Sequence, residues 1–346
     1  MIAANAPDPT LHARVLATLR AALGPDTQLT RLEPLGGGAC QEIWRAEARL
    51  ADGASRALVI RGDPAVALPG SLGRREEFEV INAAVAAGAP TPAARWLTEG
   101  LLRPGAWAYT MDLWPGVTLG AKVTRDPSLA GARERAPTQL AEALAAIHTV
   151  TPERVTLPLP VPEDPVAAAL SALRESMERL PCARPAQAVG LAWLMKHRPP
   201  PGGEITLVHG DFRTGNLLFE PEGLTGVLDW EFAHWGSPLE DIGWLCVRDW
   251  RFGALDRAVG GLCRRAPFVA AYSARSGRAV SPQELTFWEV YGNLRWAAGA
   301  ILQGQRVLAG PERDLELLAI PWRAAELEYE ALRLIARHAQ SPTSAP

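Results

Sequence analysis

"LVHGDFRTGNLLF" (Leu207–Phe219) is an apolar run broken by His209, Asp211, Arg213 and Asn216, and "GVLDWEF" (Gly226–Phe232) follows shortly after it, carrying Asp229. A plain core strand has no use for this density of polar groups, because each one must find a partner or lose its hydration at a cost. The apolar flanks read as short strands, which puts the polar residues in a loop between two strands and Asp229 at the end of another. Loops held by a rigid scaffold are where binding and catalytic groups concentrate.

The residue types suit one kind of chemistry. A carboxylate such as Asp211 can take or orient the proton of an attacking hydroxyl. The amide oxygen of Asn216 and the carboxylate of Asp229 suit magnesium, a hard cation that keeps waters and phosphates as its remaining ligands. Taken singly, an H-x-D triplet is common and an aspartate at a strand end is more often a cap or turn residue. The two features together, in this order and each flanked by strand residues, are much more specific.

The rest of the chain sets bounds. Its 346 residues are 48% hydrophobic, enough for a sizeable core and for two lobes. A net charge of -3 argues against nucleic acid or an anionic membrane surface as partner. The four cysteines are scattered without a C-x-x-C pair, so neither a zinc site nor a disulfide framework is expected. There is no basic-then-apolar leader and no uncharged apolar run of membrane-spanning length, so a cytoplasmic, soluble protein is expected.

The organisation changes along the chain. A short amphipathic helix over Leu11–Gly24 precedes strand-like runs at "TRLEPL", "CQEIWRAEARL" and "RALVIRG". A helix follows at "GRREEFEVINAAVAAG", then an extended segment at "RWLTEG" and a strand at "GAWAYTMDLWPG". Beyond Pro115-Gly116 helical patterns dominate, interrupted by a proline-rich connection at "TVTPERVTLPLPVPEDP" and by the loop quoted above. This predicts an α+β chain with a small β-rich lobe, a short hinge and a larger α-rich lobe.

Asp211 and Asn216 stand at the spacing of the H-R-D-x-x-x-x-N catalytic loop of protein kinases, and Asp229 falls where the second magnesium aspartate of those enzymes sits. With "HGD…N", "DW" and the later "SPLEDIGWL", the chain resembles the aminoglycoside phosphotransferase and choline kinase superfamily, from about Leu32 through Trp244. The resemblance implies a bilobal protein-kinase-like fold, with residues 1–111 as the nucleotide-binding lobe and 112–346 as the catalytic and substrate lobe. It implies ATP and Mg²⁺ as cofactors, Asp211 as the catalytic residue, and Asn216 and Asp229 as metal ligands.

Carried over residue by residue, Gly36, Gly37 and Gly38 match the turn that covers the nucleotide, where absent side chains let backbone N–H groups approach phosphate. Arg61 stands where protein kinases present a phosphate-binding lysine, a departure because a planar fork is not a point charge. Glu77 matches the helix glutamate that pairs with this cation, with Glu76 and Glu79 as alternatives. Met111, Asp112 and Leu113 match the hinge against which adenine lies. His209 and Asp241 are expected to support the loop, Asp241 by accepting from its backbone, and His148 to be structural.

For the acceptor, Tyr291, Arg295, Gly299 and Gln303 recur at i, i+4 and share one helix face, which fits either a substrate cleft or a solvated polar face. Arg213 is read with them as an acceptor contact. The α-rich part is only mildly acidic, whereas polycationic aminoglycosides need a strongly acidic pocket. The "NLRWAAGAILQG" helix resembles the branch related to kinase-like domains fused to some acyl-CoA dehydrogenases. That implies a neutral or anionic hydroxylated metabolite, such as a hydroxyacyl-CoA, as substrate. The alternatives are an aminoglycoside phosphotransferase conferring resistance and a non-catalytic nucleotide-binding regulator. A monomer and a homodimer are both compatible with the sequence.

Overall fold

The computed structural model describes residues 9–35, 42–310 and 315–340. The glycine turn Gly36–Gly38 lies outside them. Helix α1 (Pro9–Leu23) leads into strands β1 (Gln28–Pro34), β2 (Glu42–Arg49) and β3 (Ser55–Gly62). Helix α2 (Arg74–Ala86), β4 (Arg95–Glu99) and β5 (Trp107–Asp112) complete the first lobe. The five strands form one antiparallel sheet in the order β1-β2-β3-β5-β4.

The alternation of β3 decides what reaches the cleft, since successive side chains leave a strand on opposite faces. Leu58 and Ile60 pack with Leu11, Val15 and Leu19 of α1. Val59 packs with Val80 and Ile81 of α2, so Arg61, two residues on, lies on the α2 side. On α2, Glu77, Val80, Ile81 and Ala84 are buried at the i, i+3, i+4, i+7 spacing of one helix face.

The second lobe holds α3 (Gly120–Arg125), α4 (Ala130–Ile147), α5 (Pro165–Glu178) and α6 (Pro185–Lys196). Two short ribbons follow, from β6 (Thr206–Val208), β7 (Leu217–Glu220), β8 (Gly223–Val227) and β9 (His234–Gly236). Helices α7 (Pro238–Leu245), α8 (Arg265–Ser276), α9 (Pro282–Ala309), α10 (Leu315–Ala319) and α11 (Arg323–Gln340) complete it. The result is the bilobal α+β architecture of the protein-kinase-like fold. None of the described helices is long and apolar enough to cross a membrane.

Candidate active site

Strand pairing crosses the two stretches that opened the sequence reading. β6 pairs with β9, and β7 pairs with β8, so the loop 209–216 lies beside the segment 228–233. Leu228 N–H donates to the Asn216 carbonyl at 2.9 Å. His209 ties the loops together: its Nδ1 accepts from the Asp211 amide at 3.2 Å, and its Nε2 donates to the Leu228 carbonyl at 3.1 Å. Accepting at Nδ1 while Nε2 donates requires the neutral ring. Burial lowers the His209 pKa, which keeps it neutral. Gly210 has φ +76°, and a Cβ there would lie 2.2 Å from the Phe232 carbonyl oxygen, so this close crossing of the loops admits only glycine.

Asp211 is held by three side chains. Trp244 Nε1 donates to Oδ1 at 2.8 Å, Asn216 Nδ2 donates to Oδ2 at 2.6 Å, and Arg213 Nε lies 3.0 and 3.1 Å from the two oxygens. Arg213 in turn lies over the Trp250 ring, 4.6 Å from its centroid. Asn216 Nδ2 also donates to the Asp211 carbonyl at 3.0 Å. The amide nitrogen is thus committed, and the amide oxygen is the atom left to meet a cation. Neither Trp244 nor Trp250 was picked out by the sequence reading; Trp244 stands inside the quoted "SPLEDIGWL" but carried no chemical signal of its own.

Across the cleft, Arg61 Nη2 donates to Asp229 Oδ1 at 2.8 Å and lies 3.3 Å from Glu77 Oε1. Asp229 has φ 68°, in the left-handed region that an aspartate tolerates better than most side chains. Of the three glutamates on α2, Glu77 is the one that meets Arg61, and it meets a second cation that the sequence reading missed. Arg74, itself buried, bonds Glu77 through Nη1 and the Gly62 carbonyl through Nε at 3.0 Å. Arg74 also approaches Glu231 at 3.5 Å. Burial and the neighbouring Asp229 charge push the Glu231 carboxyl up to about 7, against the pull of Arg61 and Arg74.

Beneath the loop, Asp241 is fully buried and accepts from the amides of His209 at 2.8 Å and Gly210 at 3.0 Å. His148 Nε2 lies 3.3 Å from the same carboxylate, and its Nδ1 lies 2.7 Å from the Tyr272 hydroxyl. Burial alone would raise the Asp241 pKa, but the His148 contact and the donors from the loop outweigh it and leave the carboxyl below its ordinary value. At the hinge, Met111 is buried and the Asp112 carboxylate is bound by Arg56 at 2.8 and 3.1 Å. The Leu113 amide already donates to the Ala57 carbonyl at 2.9 Å.

A cavity of about 1270 Å³ opens from these groups. Asp211, Arg213 and Asp229 line one part of it, and Tyr291, Arg295, Gly299 and Gln303 all reach it from α9. Arg295 does more than face the cavity. Its Nη1 donates to the Gly210 carbonyl at 2.9 Å, its guanidinium stacks 4.4 Å from the Trp244 ring centroid, and Glu240 lies 3.7 Å away. It braces the loop from below as well as bordering the acceptor space. The rest of the lining mixes charged groups, Arg179, Glu231, Glu240 and Arg306, with apolar side chains that were not foreseen from sequence: Val66 and Leu68 before α2, Val161 in the proline-rich connection, Ala168 and Ala172 on α5, and Leu302 on α9.

A family model described as the phosphotransferase enzyme family matches residues 31–277 of this chain. The chain belongs to that family. Membership in it supports an enzymatic, kinase-like phosphotransferase activity. Acyl-CoA dehydrogenase family member 10 of Mus musculus is 33% identical over 218 residues, which is 58% of this chain and 19% of that protein. Family member 11 of Rattus norvegicus is 30% identical over 209 residues, 56% of this chain and 25% of that protein. The chain thus spans a quarter or less of either relative. Among solved structures, one from Ralstonia eutropha named for the aminoglycoside phosphotransferases superposes with a TM-score of 0.74 at 22% identity, covering 94% of this chain and 98% of that one. An aminoglycoside phosphotransferase in ternary complex with AMP-PNP and hygromycin B superposes with a TM-score of 0.61 at 16% identity, covering 93% and 99%. At these identities the likeness is one of fold.

Proposed function

We propose that the protein is an ATP- and Mg²⁺-dependent O-phosphotransferase whose acceptor is a hydroxylated acyl metabolite, a hydroxyacyl-CoA before others. The observation that carries the reading is the lining of the cavity, in which Asp211 and Asp229 stand together with a set of small and aliphatic side chains, Val66, Leu68, Val161, Ala168, Ala172 and Leu302. Pockets of this kind fix a ligand by a few polar groups and gain affinity from apolar burial. Two relatives named for acyl-CoA dehydrogenases carry a stretch similar to this chain, which supports an acyl thioester. The charges lining the cavity are balanced: Asp211, Asp229, Glu231 and Glu240 meet Arg179, Arg213, Arg295 and Arg306. A polycationic aminoglycoside calls for a clear acidic excess, so this balance disfavours one.

Asp211 positions the acceptor hydroxyl and takes its proton as the acceptor oxygen bonds to the γ-phosphorus of ATP and the bond to the ADP oxygen breaks. The donors from Trp244, Asn216 and Arg213 hold the Asp211 carboxylate in one orientation for that task. Asn216 and Asp229 offer hard oxygen donors, the set that suits Mg²⁺, and they would hold the cation. When bound, it neutralises charge at the phosphate oxygens. Arg61, fixed by Glu77, supplies a guanidinium fork to the phosphates, and Gly36, Gly37 and Gly38 supply backbone amides. Met111, Asp112 and Leu113 border the base. We place the division between the nucleotide and substrate lobes at residues 111 and 112.

The test is ADP release by the purified protein with 3- and 4-hydroxyacyl-CoAs of several chain lengths, the matching free hydroxy acids, and kanamycin. Acceptor-dependent release with a hydroxyacyl-CoA and none with kanamycin is expected. Efficient turnover of kanamycin, with none of any acyl acceptor, overturns the reading in favour of antibiotic phosphorylation.

A further inference from the structure

Glu77 is fully buried, and its two carboxylate oxygens serve different arginines. Oε1 faces Arg61 Nη2 at 3.3 Å, and Oε2 takes Arg74 Nη1. A carboxylate paired with a single arginine commonly engages it through both oxygens, in a two-bond fork. With Arg74 on one oxygen, that fork is closed to Arg61. Its Nη2 makes its shorter contact, 2.8 Å, to Asp229 at the cleft.

Arg74 is itself 1% exposed, and all three of its guanidinium nitrogens are engaged. Beyond Glu77, its Nε donates to the Gly62 carbonyl at 3.0 Å and its Nη2 to Glu231 Oε2 at 3.5 Å. Its backbone amide donates to Asp63 Oδ1 at 2.9 Å. Gly62 directly follows Arg61 on β3, and Glu231 stands two residues after Asp229. One side chain thus ties the first turn of α2 both to the end of β3 that carries Arg61 and to the segment that carries Asp229. Burial and the Arg61 charge both oppose an ionised Arg74, and Glu77 outweighs them. Docking α2 does not by itself call for a second buried cation beside the first, since a well-packed apolar side chain serves that end at less cost.

We propose that Arg74 is a positioning residue of the nucleotide site. By occupying one oxygen of Glu77 it keeps the Arg61 guanidinium turned toward the cleft, where it meets phosphate oxygens. This rests on the reading of Arg61 as a phosphate contact. Without Arg74, the buried Glu77 carboxylate is left with Arg61 as its arginine partner and draws the Arg61 fork onto both oxygens, away from Asp229 and the phosphates.

ATP titrated calorimetrically without Mg²⁺ tests this in the absence of turnover. Arg74→Met should weaken ATP binding about tenfold, the scale of one charge-assisted hydrogen bond. Arg74→Lys keeps a cation beside Glu77 and should weaken it by a smaller factor, because an ammonium cannot hold Glu77, Gly62 and Glu231 in one plane. It also carries the test should Arg74→Met fail to fold. The deciding measurement repeats the substitutions in an Arg61→Ala background. Acting through Arg61, they should cost no further ATP affinity there, whereas a residue that only holds α2 in place gives the same loss in both backgrounds. Equal losses with and without Arg61, or unchanged ATP affinity in the folded Arg74 variants, overturn the proposal. If Arg61→Ala alone leaves ATP affinity unchanged, the phosphate role of Arg61 fails and the role of Arg74 falls with it.

Discussion

The two sides of the catalytic cleft are built on different principles. The motif side is a set of polar and charged groups fixed by short bonds over a short piece of chain. His209, Asp211, Asn216, Asp229 and Asp241 fall in one stretch of 33 residues, and His209, Asp211, Asn216 and Asp241 are tied to one another by side-chain and backbone hydrogen bonds. The side that meets the acceptor is assembled from residues 66–70, 160–172 and 291–309, which are remote in sequence and mostly small or apolar. Charges that must sit at fixed distances compress into motifs. A wall that only has to leave a shaped space can be made by many side chains, and it leaves no pattern.

The first way to break this contrast is at Asp211. On the motif side each charge has a defined task, so Asp211→Asn should lower kcat by about a thousandfold, within the range for a lost general base, while ATP still binds. Single-turnover phosphoryl transfer and nucleotide titration measure the two separately, and near-normal turnover would remove Asp211 from the chemistry. Asp229→Ala should come next, weakening ATP binding in the presence of Mg²⁺ by about a hundredfold, the order expected when a metal-held charge clamp is lost. Its signature is that the dependence of ATP affinity on Mg²⁺ disappears; an unchanged dependence would reassign Asp229 to a structural role beside Arg61.

Arg61→Ala sharpens the comparison at its edge. The guanidinium is braced by both Glu77 and Asp229, so its loss should raise the KM for ATP about tenfold, the scale of one charge-assisted hydrogen bond, with little change in the KM for the acceptor. Arg61→Lys should recover only part of this, because a single ammonium cannot keep the Asp229 and Glu77 contacts in the same geometry. Equal kinetics for ATP in wild type and Arg61→Ala would make the residue a pure lobe-to-lobe tie.

These effects bear on what could be read in advance. The fold was legible because the order of strands, helix and polar loops is itself a pattern, and the loop residues stood at a recognisable spacing. Glu77 could have been chosen over Glu76 and Glu79 from sequence, since Val80, Ile81 and Ala84 follow it at i+3, i+4 and i+7 and mark its face as buried. Trp244 and Trp250 could not. Each serves Asp211 through a contact between elements far apart in the chain, and a tryptophan on an apolar helix or turn carries no sign of what its ring or N–H will meet. Arg295 shows the limit from the other direction: its helix face was readable, but its bond to the Gly210 carbonyl depends on how α9 packs beneath the loop.

The smallest expected effect probes the wall that sequence could not reveal. Ala172 lies on α5, exposed and bordering the acceptor cavity, so a larger side chain there narrows the space without entering a packed core. Ala172→Phe should leave folding and the KM for ATP unchanged. If the apolar wall accommodates an acyl chain, the KM for a long-chain hydroxyacyl acceptor should rise by about fivefold to tenfold, the modest scale on which apolar pockets discriminate, and a short-chain acceptor should be nearly unaffected. The chain-length dependence is the diagnostic. A loss of equal size for short and long acceptors would place the acyl chain elsewhere, and a loss confined to kcat would mean that α5 acts on the catalytic loop rather than on the acceptor.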